Sequence, residues 1–127
     1  MKHFFTLSIL VTFLTSFITT HIGIDDVITA MRTGNAGTVA KYFDNSVEIS
    51  MPEKSNSYSK SQAELVLKDF FTSNPVKSFE IIHKGENAGS QYCIGTLQTK
   101  NGSYRTTIFM KQKGDHQVLQ ELRFENR

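Results

Sequence analysis

The chain of 127 residues has no tryptophan, two prolines and a single cysteine, and it carries no charge at all between Lys2 and Asp25. Each shortage excludes something. With Cys93 alone no internal disulfide can form, so stability has to come from packing. The thiol lies in Tyr92-Cys93-Ile94-Gly95, an apolar strand-like setting where a free cysteine is a small buried hydrophobe; pairing between molecules is the alternative. No cysteine lies near the N-terminus, which excludes a bacterial lipoprotein anchor. Charge of one sign is also scarce. Of the fourteen basic residues, setting aside Lys2 leaves thirteen against twelve acidic ones, no footprint for nucleic acid. There is no phosphate loop, no Gly-x-Ser-x-Gly and no His-Glu-x-x-His. No pair of His, Cys or carboxylate side chains has ligand spacing on one element, so no metal, cofactor or catalytic residue is assigned.

What is present begins with a leader. Phe4 to Ile18 is apolar apart from scattered Ser and Thr, and follows a short positive start, which is the layout of a signal peptide over residues 1–21. No A-x-A pattern marks the cleavage site, so the end is placed between residues 16 and 23. An uncleaved membrane anchor competes with this reading, since Phe4 to Ile24 is barely long enough to span a bilayer. Either way the chain is expected to be exported, to a periplasm or the cell exterior, with membrane contact only through an uncleaved N-terminus. Residues 22–127 suit one domain with one core, to which ten Phe and four Tyr supply bulk.

Ile24, Val27, Ile28 and Met31 recur at helical spacing, with Asp25 and Asp26 at the N-terminal end and Gly34-Asn35 as the break. Ala36 to Phe43 reads as a second short helix. Val47 to Met51 alternates as a strand, Glu53 to Ser59 reads as an exposed loop, and Ser59 or Ser61 opens a third helix. That helix has an apolar face of Ala63, Leu65, Val66 and Phe70, with Leu67 and Phe71 as further candidates, and it ends at Asn74-Pro75. Four strands follow: Ser78 to Lys84, Gln91 to Lys100, Ser103 to Lys113 and Gln117 to Glu125.

Asn101-Gly102 predicts a type I′ hairpin with Lys100 opposite Ser103, hence Leu97 opposite Thr106, Gly95 opposite Ile108 and Cys93 opposite Met110. A three-residue loop at Gly114-Asp115-His116 would set Met110 against Gln120, Ile108 against Leu122 and Thr106 against Phe124; a two-residue loop would invert that part. These residues form the expected core side. The other face carries Tyr92, Ile94, Phe109 and Leu119, too apolar for a sheet surface that simply meets water. Helices gathered before a run of antiparallel strands predict an α+β fold.

Gly34-Asn35, Tyr42-Phe43-Asp44, the run Phe70 to Pro75, Ser78-Phe79-Glu80-Ile81 and Gln120-Glu121-Leu122-Arg123, in this order of elements, resemble the NTF2-like superfamily. More narrowly they resemble DUF4783, a family of small exported Bacteroidetes proteins of unknown function. The resemblance implies an NTF2-like (cystatin-like) cone of three N-terminal helices on a curved antiparallel sheet, often with a pocket between them and a homodimer across the outer face. It implies no reaction. The expected role is therefore a noncatalytic module for a small apolar ligand or a protein. Tyr42, His83, Tyr104 and Gln120 are its candidate pocket residues, and Tyr92, Ile94, Phe109 and Leu119 its dimer face. One alternative is a small-molecule isomerase or dehydratase using His83 or Asp44 as base with a tyrosine donor. Asp44 also reads as a turn residue, and His116 is a weaker candidate base. The other alternative is a structural accessory of the cell envelope.

Overall fold

The computed structural model describes residues 23–127, so the signal peptide and its cleavage or anchoring lie outside the described residues. Helix α1 (Ile24–Thr33) buries Ile24, Val27, Ile28 and Met31 on one stripe, because residues three and four apart share a helix face. Asp25 and Asp26 occupy its first turn, where free N–H groups favour negative charge. Gly34 ends it at φ 66°, a left-handed geometry open to glycine without a Cβ clash, and the Asn35 N–H reaches back to the Ala30 carbonyl at 2.9 Å. The Asn35 side chain then caps α2 (Ala36–Ala40), accepting from the Thr38 N–H at 3.1 Å. One dipeptide thus closes one helix and opens the next.

Helix α2 is shorter than expected, because Phe43 already belongs to the extended strand β1 (Phe43–Ser50). The stretch expected to be a loop contains a strand, β2 (Ser55–Ser59), antiparallel to β1. Its side chains are mostly exposed, so backbone hydrogen bonds hold it and no apolar alternation is needed. Helix α3 (Lys60–Ser73) is capped by Ser59 and buries Ala63, Leu67, Phe70 and Phe71; Leu65, expected on that face, is exposed. The remaining strands are β3 (Val76–Asn87), β4 (Ser90–Thr99), β5 (Gly102–Lys113) and β6 (His116–Asn126). The six strands form one curved α+β sheet in the order β2-β1-β6-β5-β4-β3, antiparallel throughout except where β1 runs parallel to β6.

Two registers differ from expectation, each for a local reason. At the β4–β5 turn Thr99 pairs with Gly102, so Leu97 faces Tyr104 and Cys93 faces Ile108. The Lys100 N–H is drawn to the Pro75 carbonyl at 2.9 Å, and the Asn101 side chain donates to the Ser73 carbonyl, which moves the loop to Lys100-Asn101. The shift is two residues, and since side chains alternate with a period of two, every face assignment in β4 and β5 survives it. Positive φ at two consecutive loop residues occurs instead at Ala88 (46°) and Gly89 (85°), between β3 and β4.

At the β5–β6 turn Lys113 pairs with His116, leaving the two-residue loop Gly114-Asp115. A bulge at Gln120 then makes up the difference, so Met110 faces Leu119, not Gln120, while Ile108 still faces Leu122 and Thr106 still faces Phe124. The consequence corrects the expected outer face. Leu119 points into the core at 0 % exposure, and its place on the convex side is taken by Val118.

The concave side of the sheet is filled. Cys93, Leu97, Ile108, Met110, Leu119, Leu122 and Phe124 pack under the helices, and Phe124 stacks on Phe70 of α3 at a ring separation of 4.4 Å. Each buried Leu, Ile, Met or Phe side chain among these contributes about 1.5–3 kcal/mol through removal from water. Gly95 belongs to this layer because a Cβ there would stand 2.6 Å from both the Glu80 carbonyl oxygen and the Phe79 ring.

Candidate functional site

Alternation along β4, β5 and β6 decides what the convex face carries. Tyr92 pairs with Phe109 and Ile94 with Thr107, each half-buried, while Phe109 is flanked on β6 by Glu121. Val118 lies opposite Lys111 at one end of the patch. The result is an apolar centre of Tyr92, Ile94 and Phe109, with Val118 at its end, edged by Arg105, Lys111 and the ion pair of Arg123 with Glu121 at 2.9 Å. His83 is expected beside Phe79 and Ile81 on the core side; it lies instead on the convex face, exposed. A bulge at Ile82 shifts β3 so that His83 pairs with Ile94. Its Nε2 lies 2.7 Å from the Tyr92 hydroxyl. The aromatic ring of Tyr92 lies over Gly85, where a Cβ would come within 2.6 Å of the Tyr92 hydroxyl oxygen.

The four expected pocket residues occupy four different surroundings. Tyr42 donates its hydroxyl to the Asp26 carboxylate at 2.6 Å, and that bond pushes its pKa up to about 12. It lines an open cleft of about 680 Å³ together with Lys41, Lys60, His116 and Gln117. Gln120, the bulge residue, donates to Asp44 at 3.1 Å. Asp44 also accepts from Lys113 at 2.9 Å, and this bond, the strongest influence on it, holds its carboxyl below the ordinary carboxylate value. A carboxylate so stabilised is a weak base. His83 stands on the outer face, as described.

Tyr104 is the one that faces a cleft between helix and sheet. Its ring packs edge-on against Phe70 at 5.3 Å and its hydroxyl donates to Asn74 at 3.1 Å. Here, at the end of the cone near the β1–β2 turn, an open cleft of about 600 Å³ is lined by Met51, Val66, Phe70, Asn74 and Tyr104, with Glu53, Lys54 and Asp69 among its polar residues. An apolar floor with a few placed polar groups is the usual make-up of a small-molecule site. Among the described residues no three His, Cys, Asp or Glu side chains gather as a metal ligand set, and no helix is long and apolar enough to cross a membrane.

A family model described as a domain of unknown function, DUF4783, matches residues 24–125. The chain belongs to the DUF4783 family. Crystal structures of two DUF4783 proteins are each 30% identical to it, with a TM-score of 0.78. That from Bacteroides uniformis covers 81% of this chain and 95% of its own, and that from Bacteroides ovatus covers 80% and 93%. An NTF2-like protein of unknown function from Cytophaga hutchinsonii superposes with a TM-score of 0.58 at 10% identity, over 80% of this chain and 83% of its own. The fold of this DUF4783 chain is therefore NTF2-like. No curated protein matches it.

Three residues of this DUF4783 chain that matter to these surfaces escaped reading from sequence. Val118 reaches the convex face through the two-residue Gly114-Asp115 turn, and the Gln120 bulge then returns Leu122 and Phe124 to the core side. Asp26, read as a helix-dipole partner, also anchors Tyr42. Gly85 makes room for Tyr92, and the available signal was a glycine late in a strand rich in side chains.

Proposed function

We propose that this protein is an exported, noncatalytic binding module that pairs with a second copy through its convex sheet face and takes a small apolar ligand in the cleft beside Tyr104. The observation that carries the reading is the half-buried apolar centre of Tyr92, Ile94 and Phe109, which no described helix covers. Aromatic residues ringed by charge are the composition of an interface centre and rim. The uncharged run before Asp25 supports export, to the periplasm or beyond it. The enzyme reading has less support. Asp44 is engaged by Lys113 and Gln120, and His83 by Tyr92, so neither shares a cleft with a free tyrosine donor.

Sedimentation of the protein as its host processes it tests the pairing. A dimer that Phe109→Lys converts to a monomer is the expected result, because a lysine there removes the central aromatic ring and puts a charge that must be desolvated in its place. A monomer at every concentration would overturn the dimer. Native mass spectrometry of the same material reads the cleft: a bound apolar adduct lost in Tyr104→Ala supports the ligand site, and an adduct that persists in that variant refutes its placement.

A further inference from the structure

The strand order leaves β2 and β3 at the two edges of the sheet, and among the described residues the flank of β3 is open except at the Phe79 carbonyl, which the Arg32 Nε–H reaches from α1 at 3.5 Å. They are managed differently. β2 is five residues of Ser, Asn and Tyr, too short and polar to template another chain. β3 is twelve residues long, and at its middle Ile81 and Ile82 are 36% and 56% exposed. A long edge with adjacent exposed isoleucines can template a further strand, but the bulges at Lys77 and Ile82 bend it, so a partner has to carry matching bulges to follow it.

The sequence of β3 names the occupant. We propose that β3 pairs antiparallel with β3 of a second copy, about a two-fold axis between Ile81 and Ile82. Read outward from that point the strand is complementary to itself: Ile81 stands opposite Ile82, Glu80 opposite His83, Ser78 opposite Gly85 and Lys77 opposite Glu86. In a regular strand Glu80 and His83 would point to opposite faces and could not meet in this way. The bulge at Ile82 removes the conflict. Glu80 is registered with Thr96 and His83 with Ile94, two positions on the same convex side of β4, so each Glu80 carboxylate comes beside the partner's His83, twice per interface. The His83 Nε2 is already bonded to Tyr92, which leaves Nδ1 for the partner's carboxylate. Both helical layers then lie on one side of a sheet that continues from one copy into the next. A single strand pair buries little area, so the association belongs to the weak class, with a dissociation constant of roughly tens of micromolar.

This interface is separate from the convex-face pairing proposed above, and the two are distinguished by working in the Phe109→Lys background. Sedimentation equilibrium of the protein as its host processes it is expected to show weak self-association in Phe109→Lys. Adding Glu80→Lys should weaken that association about tenfold, as both His83 rings lose the carboxylate they face. Adding His83→Glu alone should weaken it similarly, and the exchange Glu80→Lys with His83→Glu should return it to within about threefold of the parent. Glu80 and His83 are exposed, Phe109 is half-buried, and thermal melts confirm that the variants fold. Persistent association that Glu80→Lys does not touch, failure of the exchange to recover it, or a Phe109→Lys protein that stays monomeric to millimolar concentration would each overturn the proposal. Wild-type dimers abolished by Glu80→Lys and untouched by Phe109→Lys would support this interface and refute the convex one.

Discussion

Replacing Gly95 by alanine puts one methyl group where the structure has no space, and what surrounds that point decides the cost. The new Cβ would stand 2.6 Å from the Glu80 carbonyl oxygen and 2.6 and 2.8 Å from two atoms of the buried Phe79 ring. The ring is held by the core and the oxygen belongs to the backbone of β3, so neither can swing away. Overpacking of this kind costs about 1–3 kcal/mol, and a backbone atom among the clashing partners places it toward the upper end. Alanine recovers about 0.5–1 kcal/mol by restricting the unfolded chain, leaving a net loss of about 2 kcal/mol. Gly85 is the internal control. A Cβ there meets three atoms at 2.6–2.8 Å, all from the outer end of the Tyr92 side chain, which lies at the surface and can rotate aside. Gly85→Ala should therefore cost under about 1 kcal/mol in stability, while displacing Tyr92 from His83 and weakening convex-face pairing. Urea unfolding of both variants, compared at constant m, reads the difference. If Gly95→Ala is as stable as wild type, or Gly85→Ala costs the more, the argument from backbone rigidity is refuted.

Ala88 at φ 46° holds a left-handed conformation that costs an L-residue about 1 kcal/mol, and asparagine tolerates it better; Ala88→Asn is expected to raise Tm by about 4 °C by calorimetry. Phe124→Ala removes a fully buried ring stacked on Phe70 and should cost about 3–5 kcal/mol in denaturant unfolding. Asp44 has a depressed folded pKa, so its contribution is present above its ordinary value of 3.8 and is lost as pH falls through the folded value; Asp44→Asn should flatten the acid limb of a stability profile. Tyr42 has the opposite sign: its contribution is complete below 10.0 and is lost as pH rises through about 12, a loss that Tyr42→Phe should remove. Burial raises the Cys93 thiol to about 11, so a thiol reagent should label the protein at pH 8 only after denaturant is added.

Much of the fold was legible because burial imposes alternation. The faces of β4 and β5 follow from Cys93, Leu97, Ile108 and Met110, and they withstand a two-residue register shift. The helix break at Gly34-Asn35 was readable because only backbone geometry, written in those two residues, is needed to make it. What escaped was set by long-range contacts. Nothing local in Gln120 or Ile82 announces a bulge, yet the first keeps Leu122 and Phe124 in the core after a two-residue turn has exchanged Leu119 for Val118, and the second carries His83 to the convex side. β2 escaped for the opposite reason: a polar strand held by its backbone leaves no pattern in its side chains. The surfaces were harder to read than the core, since Tyr42, Gln120 and Asp44 make partners of Asp26 and Lys113, contacts that only the tertiary fold brings about.

The parallel contact of β1 with β6 joins residues 43–50 to residues 119–123, near the two ends of the described chain. A polypeptide made, or threaded through a pore, from its N-terminus has α1, α2 and the β1–β2 hairpin in hand long before residues 116–126 arrive. Until then that hairpin has no neighbour on its inner flank, and the aromatic stack of Phe70 lacks Phe124. Strand β6 acts as the closing seam of the sheet, which becomes whole only once His116–Asn126 lies between β1 and β5.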